Sequence, residues 1–273
     1  MPRGLGGNMS PHGKHEAMVL LNATCEECRE ITRQFEDDCL NGMLGPARAR
    51  IGMNRKDRAQ PERWARVVYR DGRTEERLIG VDYIPAAMLI PDFSTAAIFR
   101  GLDWRPEPLL VTQTVLAEAR RLKDPDILKV SVDLRLNPYS FARMLSKIGL
   151  GVAHYALGPD AFEPVARNFI RTGAGHPNHY VGGFEGTTVK YQSAKATHEA
   201  SLWHNSNLLV VTIQLLAGEH SPVNYAVVGR LRHTPPGLPH LPLGQPLPHQ
   251  NRTLGPWHQS DPNTGIQWDQ TPP

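Results

Sequence analysis

Proline placement constrains this chain more than any other feature of its sequence. Ten of the 24 prolines fall between His233 and Pro273, where apolar residues occur only singly and Gly, His, Gln and Asn fill the gaps. Proline fixes φ and removes a backbone donor, so such a stretch supports neither a helix interior nor a ladder of strand hydrogen bonds. Isolated apolar residues bury too little surface to offset chain entropy. The sequence therefore predicts a disordered or loosely docked tail over 233–273. A second boundary falls at Asn54-Arg55-Lys56-Asp57-Arg58-Ala59-Gln60-Pro61-Glu62-Arg63, a charged stretch without hydrophobic periodicity. It separates a cysteine-bearing segment, 1–58, from a larger domain, 62–232.

Of the 273 residues, 40% are hydrophobic, enough to build a core. Lys and Arg number 30 against 27 Asp and Glu, and the resulting net charge of +3 neither demands nor forbids a polyanion partner. Apolar runs stay short of the roughly 18 residues that cross a bilayer, and Met1 to Asn22 lacks the apolar core of a signal peptide. The expectation is a soluble, cytoplasmic protein with no membrane partner. Three cysteines, an odd number, argue against a disulfide framework and leave metal binding, redox chemistry or burial.

The local patterns predict an α+β fold. Thr24-Cys25-Glu26-Glu27 has the form of a capping box, so a helix should begin near Cys25. Cys28, Ile31, Phe35 and Cys39 then mark one helical face, ended by Gly42 or Gly45. Ahead of it, Ala17 to Leu21 reads as a short strand. Asp71-Gly72 between two alternating runs, Trp64 to Arg70 and Arg73 to Val81, signals a β-hairpin. Leu128, Val130, Val132 and Leu134 alternate as a half-buried strand. Asn137-Pro138 opens a helix lined by Phe141, Met144, Leu145, Ile148, Val152 and Tyr155 and stopped by Gly158-Pro159. A second helix is expected at once, capped by Asp160 with Glu163 and running to Gly173. Leu208 to Leu216 and Val223 to Leu231 read as a closing hairpin.

Cys25-Glu-Glu-Cys28 is the one cysteine pair with chemical spacing. Two thiolates three apart at a helix start can hold two corners of a tetrahedral zinc site, which needs four ligands. His12, His15 and Cys39 are further candidates, although Cys39 falls on the core face of its helix and is expected to be buried. A thioredoxin-type redox role would suit a helix N-terminus, but two acidic residues between the thiols should raise their pKa values.

Pro2-Arg3-Gly4-Leu5-Gly6-Gly7, a polar spacer, an apolar Val-Leu-Leu run, Cys25-x-x-Cys28, Phe35-Glu36 and Arg48-x-Arg50-Ile51-Gly52 together resemble the second half of a His-Asn-His (HNH) endonuclease module. The branch in question carries zinc-binding C-x-x-C pairs. Phe141 to Gly173, with Lys147-Ile148 in the first helix and Arg167-x-x-Ile170-x-x-Gly173 closing the second, resembles the region that follows such modules. The likeness implies a partial ββα-metal module followed by a mixed antiparallel-sheet and helix domain. It implies structural zinc at Cys25 and Cys28, a catalytic divalent metal such as magnesium, and DNA as partner. It also implies that the catalytic histidine, the general base that activates water against a phosphodiester, and the first cysteine pair lie before Met1. Neither Asn22 nor Asn8 takes the middle asparagine's place securely, and Arg29 stands where the family often has Asn.

Arg48, Arg50, Arg55, Lys56 and Arg58 form a basic run that could contact phosphates, or simply a solvated helix end and linker. His176-Pro-Asn-His179 reads as an ordinary loop, and His198, Trp203 and His204 as an alternating edge before a strand. The functional expectation is an HNH-type endonuclease acting on DNA, start-truncated and weak or inactive as given. The alternative is a non-catalytic nucleic-acid-binding or regulatory protein derived from one.

Overall fold

The computed structural model describes residues 8–9, 15–16, 25–45, 62–84, 86–100, 110–117, 119–120, 122–132, 136–184, 198–215, 223–241 and 266–269. The fold is α+β. Two compact units interleave along the chain: Met1–Glu36, Pro91–Leu110 and Pro138–Gly255 form one, and Asp37–Ile90, Val111–Asn137 and Pro256–Pro273 form the other. The segment expected as one module over 1–58 thus contributes to both units.

In the first unit, strands β1 (Asn8–Met9) and β2 (His15–Glu16) make a short antiparallel pair. Helix α1 spans Glu26–Asp37; the π-helical turn that continues it in the chain, Asp38–Met43, belongs to the second unit and buries Cys39, as its place on the core face suggested. Helix α2 spans Pro138–Leu157, as the periodicity predicts, although Tyr155, expected on its apolar face, is exposed; it stops at Gly158, whose φ of 79° is the left-handed conformation that ends helices.

The expected second helix begins late. Phe162–Pro164 instead forms a strand, pairing antiparallel with Leu231 to Gly229 of strand Val223–Leu231, and the helix that follows covers only Arg167–Thr172. A buried side chain decides this. Phe162 is 1% exposed and fills the space left by Gly229, where a Cβ would come within 2.2 Å of its ring. Burying a phenylalanine outweighs the small gain of a capping box. The late helix still ends at Gly173, with φ 70°.

The central sheet of this unit has the order β10 (His198–Asn205), β11 (Leu208–Leu215), β12 (Val223–Leu231) and β8 (Phe162–Pro164), with β9 (Val181–Gly183) also on β12. The closing hairpin of the sequence reading is β11 with β12, antiparallel from Leu208 opposite Arg230 to Gln214 opposite Val223. His198, Trp203 and His204, expected to precede a strand, lie within edge strand β10. One sheet face packs on α2, where a Cβ on Gly149 would lie 2.9 Å from Val228, 3.3 Å from Ala226 and 3.4 Å from Val211. The opposite face buries Val210, Tyr225 and Val227 with Ala96 and Leu241. Residues alternate in direction along a strand, so both faces of this sheet read as apolar.

Of the stretch expected as a tail, residues 233–241 follow the sheet edge to the buried Leu241, and Ile266–Asp269 forms strand β13; the rest lies outside the described residues.

The second unit is built on the predicted hairpin, β3 (Glu62–Tyr69) and β4 (Thr74–Gly80), turning at Gly72 with φ 85°. Its sheet order is β13, β7 (Ile127–Val132), β3, β4. Ala65, Val67, Tyr69, Ile79, Ile127, Val130 and Val132 form the buried face. On the other face Trp64 stands directly opposite Leu78, both exposed. Strands β5 (Ala86–Asp92) and β6 (Leu110–Ala117) pair separately. No described helix is long and apolar enough to cross a membrane.

Candidate functional site

The site rests on the start of α1. Cys25 precedes the first helical turn and is exposed; Cys28 is half-buried within that turn. The Cys28 amide donates to Cys25 Sγ at 3.4 Å, so the sulfur occupies the position an N-cap oxygen would take. Thr24, proposed above as the cap, lies outside the described residues. This amide–sulfur bond, with help from the Cys28 side chain, holds the Cys25 thiol below its ordinary pKa despite a raising influence from Glu27. Cys28 shifts the other way, raised by its contact with Cys25 and by burial, with Arg171 opposing. The expectation that the intervening glutamates raise both thiols fails at Cys25, because a direct donor to sulfur outweighs a solvent-screened charge.

Three basic side chains from the helices that follow in sequence hold α1. Lys147 on α2 reaches Glu36 and also donates to Thr32 Oγ1 at 2.7 Å. Lys147 and Glu36 are each only 13% exposed, so this pair is largely withdrawn from water. Arg143, also on α2, places its guanidinium 4.5 Å from the centre of the buried Phe35 ring. The same guanidinium donates to the carbonyl oxygens of Ile170 and Arg171, satisfying the open end of helix α3 (Arg167–Thr172). Desolvation lowers the Arg143 pKa without threatening its charge. Finally, Arg171 lies 3.6 Å from Glu27, beside the cysteines.

The zinc that the resemblance implies can be tested on these atoms. One exposed thiol with a lowered pKa and a second one three residues on, linked by an amide–sulfur bond, suit two corners of a tetrahedral site. No group of three or more His, Cys, Asp or Glu gathers among the described residues. Cys39 is buried in the π-helical turn and is not part of this pair. His12 and the basic run Arg48, Arg50, Arg55, Lys56 and Arg58 lie outside the described residues, as does Asn22; His15 falls in β2 and Asn8 in β1. Arg29, where the family often has Asn, pairs with Glu26 on the exposed side of α1.

In the sequence Lys147 stands out only as part of a pattern, and neither its pairing with Glu36 nor the contacts of Arg143 and Arg171 with α1 are legible there. Lys147 and Glu36 are 111 residues apart. At His176-Pro-Asn-His179 the predicted loop is a 3-10 turn, in which His176 Nδ1 accepts from the Asn178 amide at 3.2 Å. Asn178 is buried, donating to the Ser94 and Val181 carbonyls, and burial lowers the pKa of both histidines. No family model, no curated protein and no solved structure matches this chain significantly.

Proposed function

We propose that this chain is an HNH-type protein acting on DNA phosphodiester bonds. The observation that carries the reading is the cysteine pair at the start of α1, with its amide–sulfur bond and a lowered thiol pKa at Cys25. Cys25 and Cys28 would hold structural zinc, which on binding ties the helix start to the segment that completes the tetrahedron. Lys147, Arg143 and Arg171 keep that helix in one orientation against the unit's core. Arg48 to Arg58 would supply phosphate contacts, and a divalent ion such as magnesium the charge stabilisation at the scissile phosphate. The motif as it matches this chain, from Pro2 to Gly52, puts no residue in the place of the general base, so cleavage by this chain should be weak.

Metal analysis and plasmid nicking test the reading together. The chain should bind zinc weakly, because two ligands do not close the tetrahedron, and Cys25→Ser should abolish what is bound. It should bind DNA with a steep salt dependence that replacing Arg48, Arg50, Arg55, Lys56 and Arg58 by Ala flattens. Nicking should be slow and sensitive to chelators. DNA binding without any nicking selects the non-catalytic, regulatory alternative, and absence of DNA binding at low salt rejects both. Tight zinc lost on Cys25→Ser, with fast cleavage lost on replacing His12 or His15, would bring the active site within this chain.

A further inference from the structure

After β12 the chain returns to the opposite edge of the same sheet, where His240 forms an isolated parallel bridge with His204 of β10. Three hydrogen bonds fix the crossing. The His204 amide donates to the Pro239 carbonyl at 2.9 Å, the Leu241 amide to the His204 carbonyl at 2.8 Å, and Asn205 Nδ2 to the Leu241 carbonyl at 3.0 Å. The Leu241 side chain anchors the segment by packing with Val210, Tyr225 and Val227. Two backbone positions are thus held side by side, and each carries an imidazole.

The rings lie 5.3 Å apart between centroids, with planes at 81°. His204 Nδ1 is 3.3 Å from the Ser206 carbonyl oxygen. A carbonyl only accepts, so that contact places the neutral ring's proton on Nδ1 and leaves the Nε2 lone pair available. Support of one ring nitrogen by a backbone carbonyl is the usual arrangement behind an imidazole metal ligand. His240 is exposed, so an ion can reach the pair from solvent.

We propose that His204 and His240 together bind a transition-metal dication of the nickel, copper or zinc type, with water completing its coordination, and that the ion pins residues 239–241 to the sheet edge. Imidazole nitrogen favours these ions over magnesium and calcium, which require oxygen ligands. No carboxylate or thiol joins the pair among the described residues, which keeps the remaining positions open. The site is separate from the cysteine pair and does not depend on the nuclease reading.

The test uses the full chain carrying Cys25→Ser and Cys28→Ser, so that thiolates do not compete for metal. Nickel titrated calorimetrically should bind with micromolar affinity and raise the melting temperature, since an ion that binds only the folded chain stabilises it. His204→Gln and His240→Gln should each weaken nickel binding by about tenfold or more, and the double variant should be little worse than either alone. Magnesium should do nothing. Ten other histidines remain in place, so nickel binding that survives both substitutions overturns the proposal. Melting temperatures lowered equally with and without nickel overturn it too, because the rings would then matter only for packing. As a measure independent of the histidine variants' stability, copper(II) bound to the chain carrying only Cys25→Ser and Cys28→Ser should show hyperfine coupling to two imidazole nitrogens in its electron paramagnetic resonance spectrum. Coupling to none or one contradicts the pair.

Discussion

Helices α1 and α2 belong to the same compact unit and are held there by opposite means. Helix α2 buries Phe141, Met144, Leu145 and Ile148 and approaches the sheet closely at Gly149. Helix α1 buries only Thr32 and Phe35 and takes its position from Lys147, Arg143 and Arg171. Apolar burial is additive and non-directional, whereas an ion pair or a cation over a ring demands both partners in one geometry. The difference teaches that α2 supplies stability while α1 is oriented. For a helix whose start carries the two cysteines proposed as zinc ligands, orientation is the property that matters, and its weaker hold makes it the first to open locally.

Breaking the apolar side should have the largest effect. Phe141→Ala removes a ring that is 1% exposed and stacked on Phe93 at 6.3 Å. Denaturant unfolding should report a loss of about 3–5 kcal/mol. A loss under about 1 kcal/mol would mean that α2 is not the element that stabilises the unit.

Next comes a buried phenol on the sheet face away from α2. Tyr225 accepts a hydrogen bond from the Ala96 amide at 2.9 Å, and burial raises its pKa from 10.0 to about 12. A raised folded-state value means that the stabilisation is complete below the unfolded pKa near 10 and disappears as pH climbs through about 12. Stability should therefore fall by roughly 3 kcal/mol across that window. Tyr225→Phe should flatten this alkaline decline, and an unchanged slope would assign it to other groups.

The orienting contacts should cost less and respond to pairing. Lys147→Met strands Glu36, which is 13% exposed, and should cost roughly 1–3 kcal/mol, between the values for surface and buried pairs. Adding Glu36→Leu should recover most of that loss, because no charge is then left unpaired. If the double variant is as unstable as the single one, the lysine acts by packing. Smallest of all, Arg171→Ala removes a pair whose side chains are 46% and 72% exposed, and stability should change by less than about 0.5 kcal/mol. Its influence should appear instead in Cys28, whose thiol should become less acidic and react more slowly with an alkylating reagent at neutral pH.

What the sequence determined by itself was local. Asp71-Gly72 set a hairpin because only a turn with positive φ closes two strands so tightly, and Gly158 and Gly173 ended helices for the same conformational reason. The spacing of Phe141, Met144, Leu145 and Ile148 fixed α2, since a 3.6-residue repeat of large apolar groups has one compatible geometry. Tertiary structure decided the rest. Asp160 and Glu163 carried a valid helix signal, yet Phe162 entered the space at Gly229 and made a strand, because burial of a whole ring exceeds a cap. Glu36 and Lys147, or His204 and His240, meet only when elements far apart in the chain pack together. Their attraction falls within a few ångströms in water, too short a reach to leave a mark on neighbouring residues in the sequence. Periodicity and turn chemistry are properties of adjacent residues and can be read in order, whereas the partner of a side chain is a property of the packed chain.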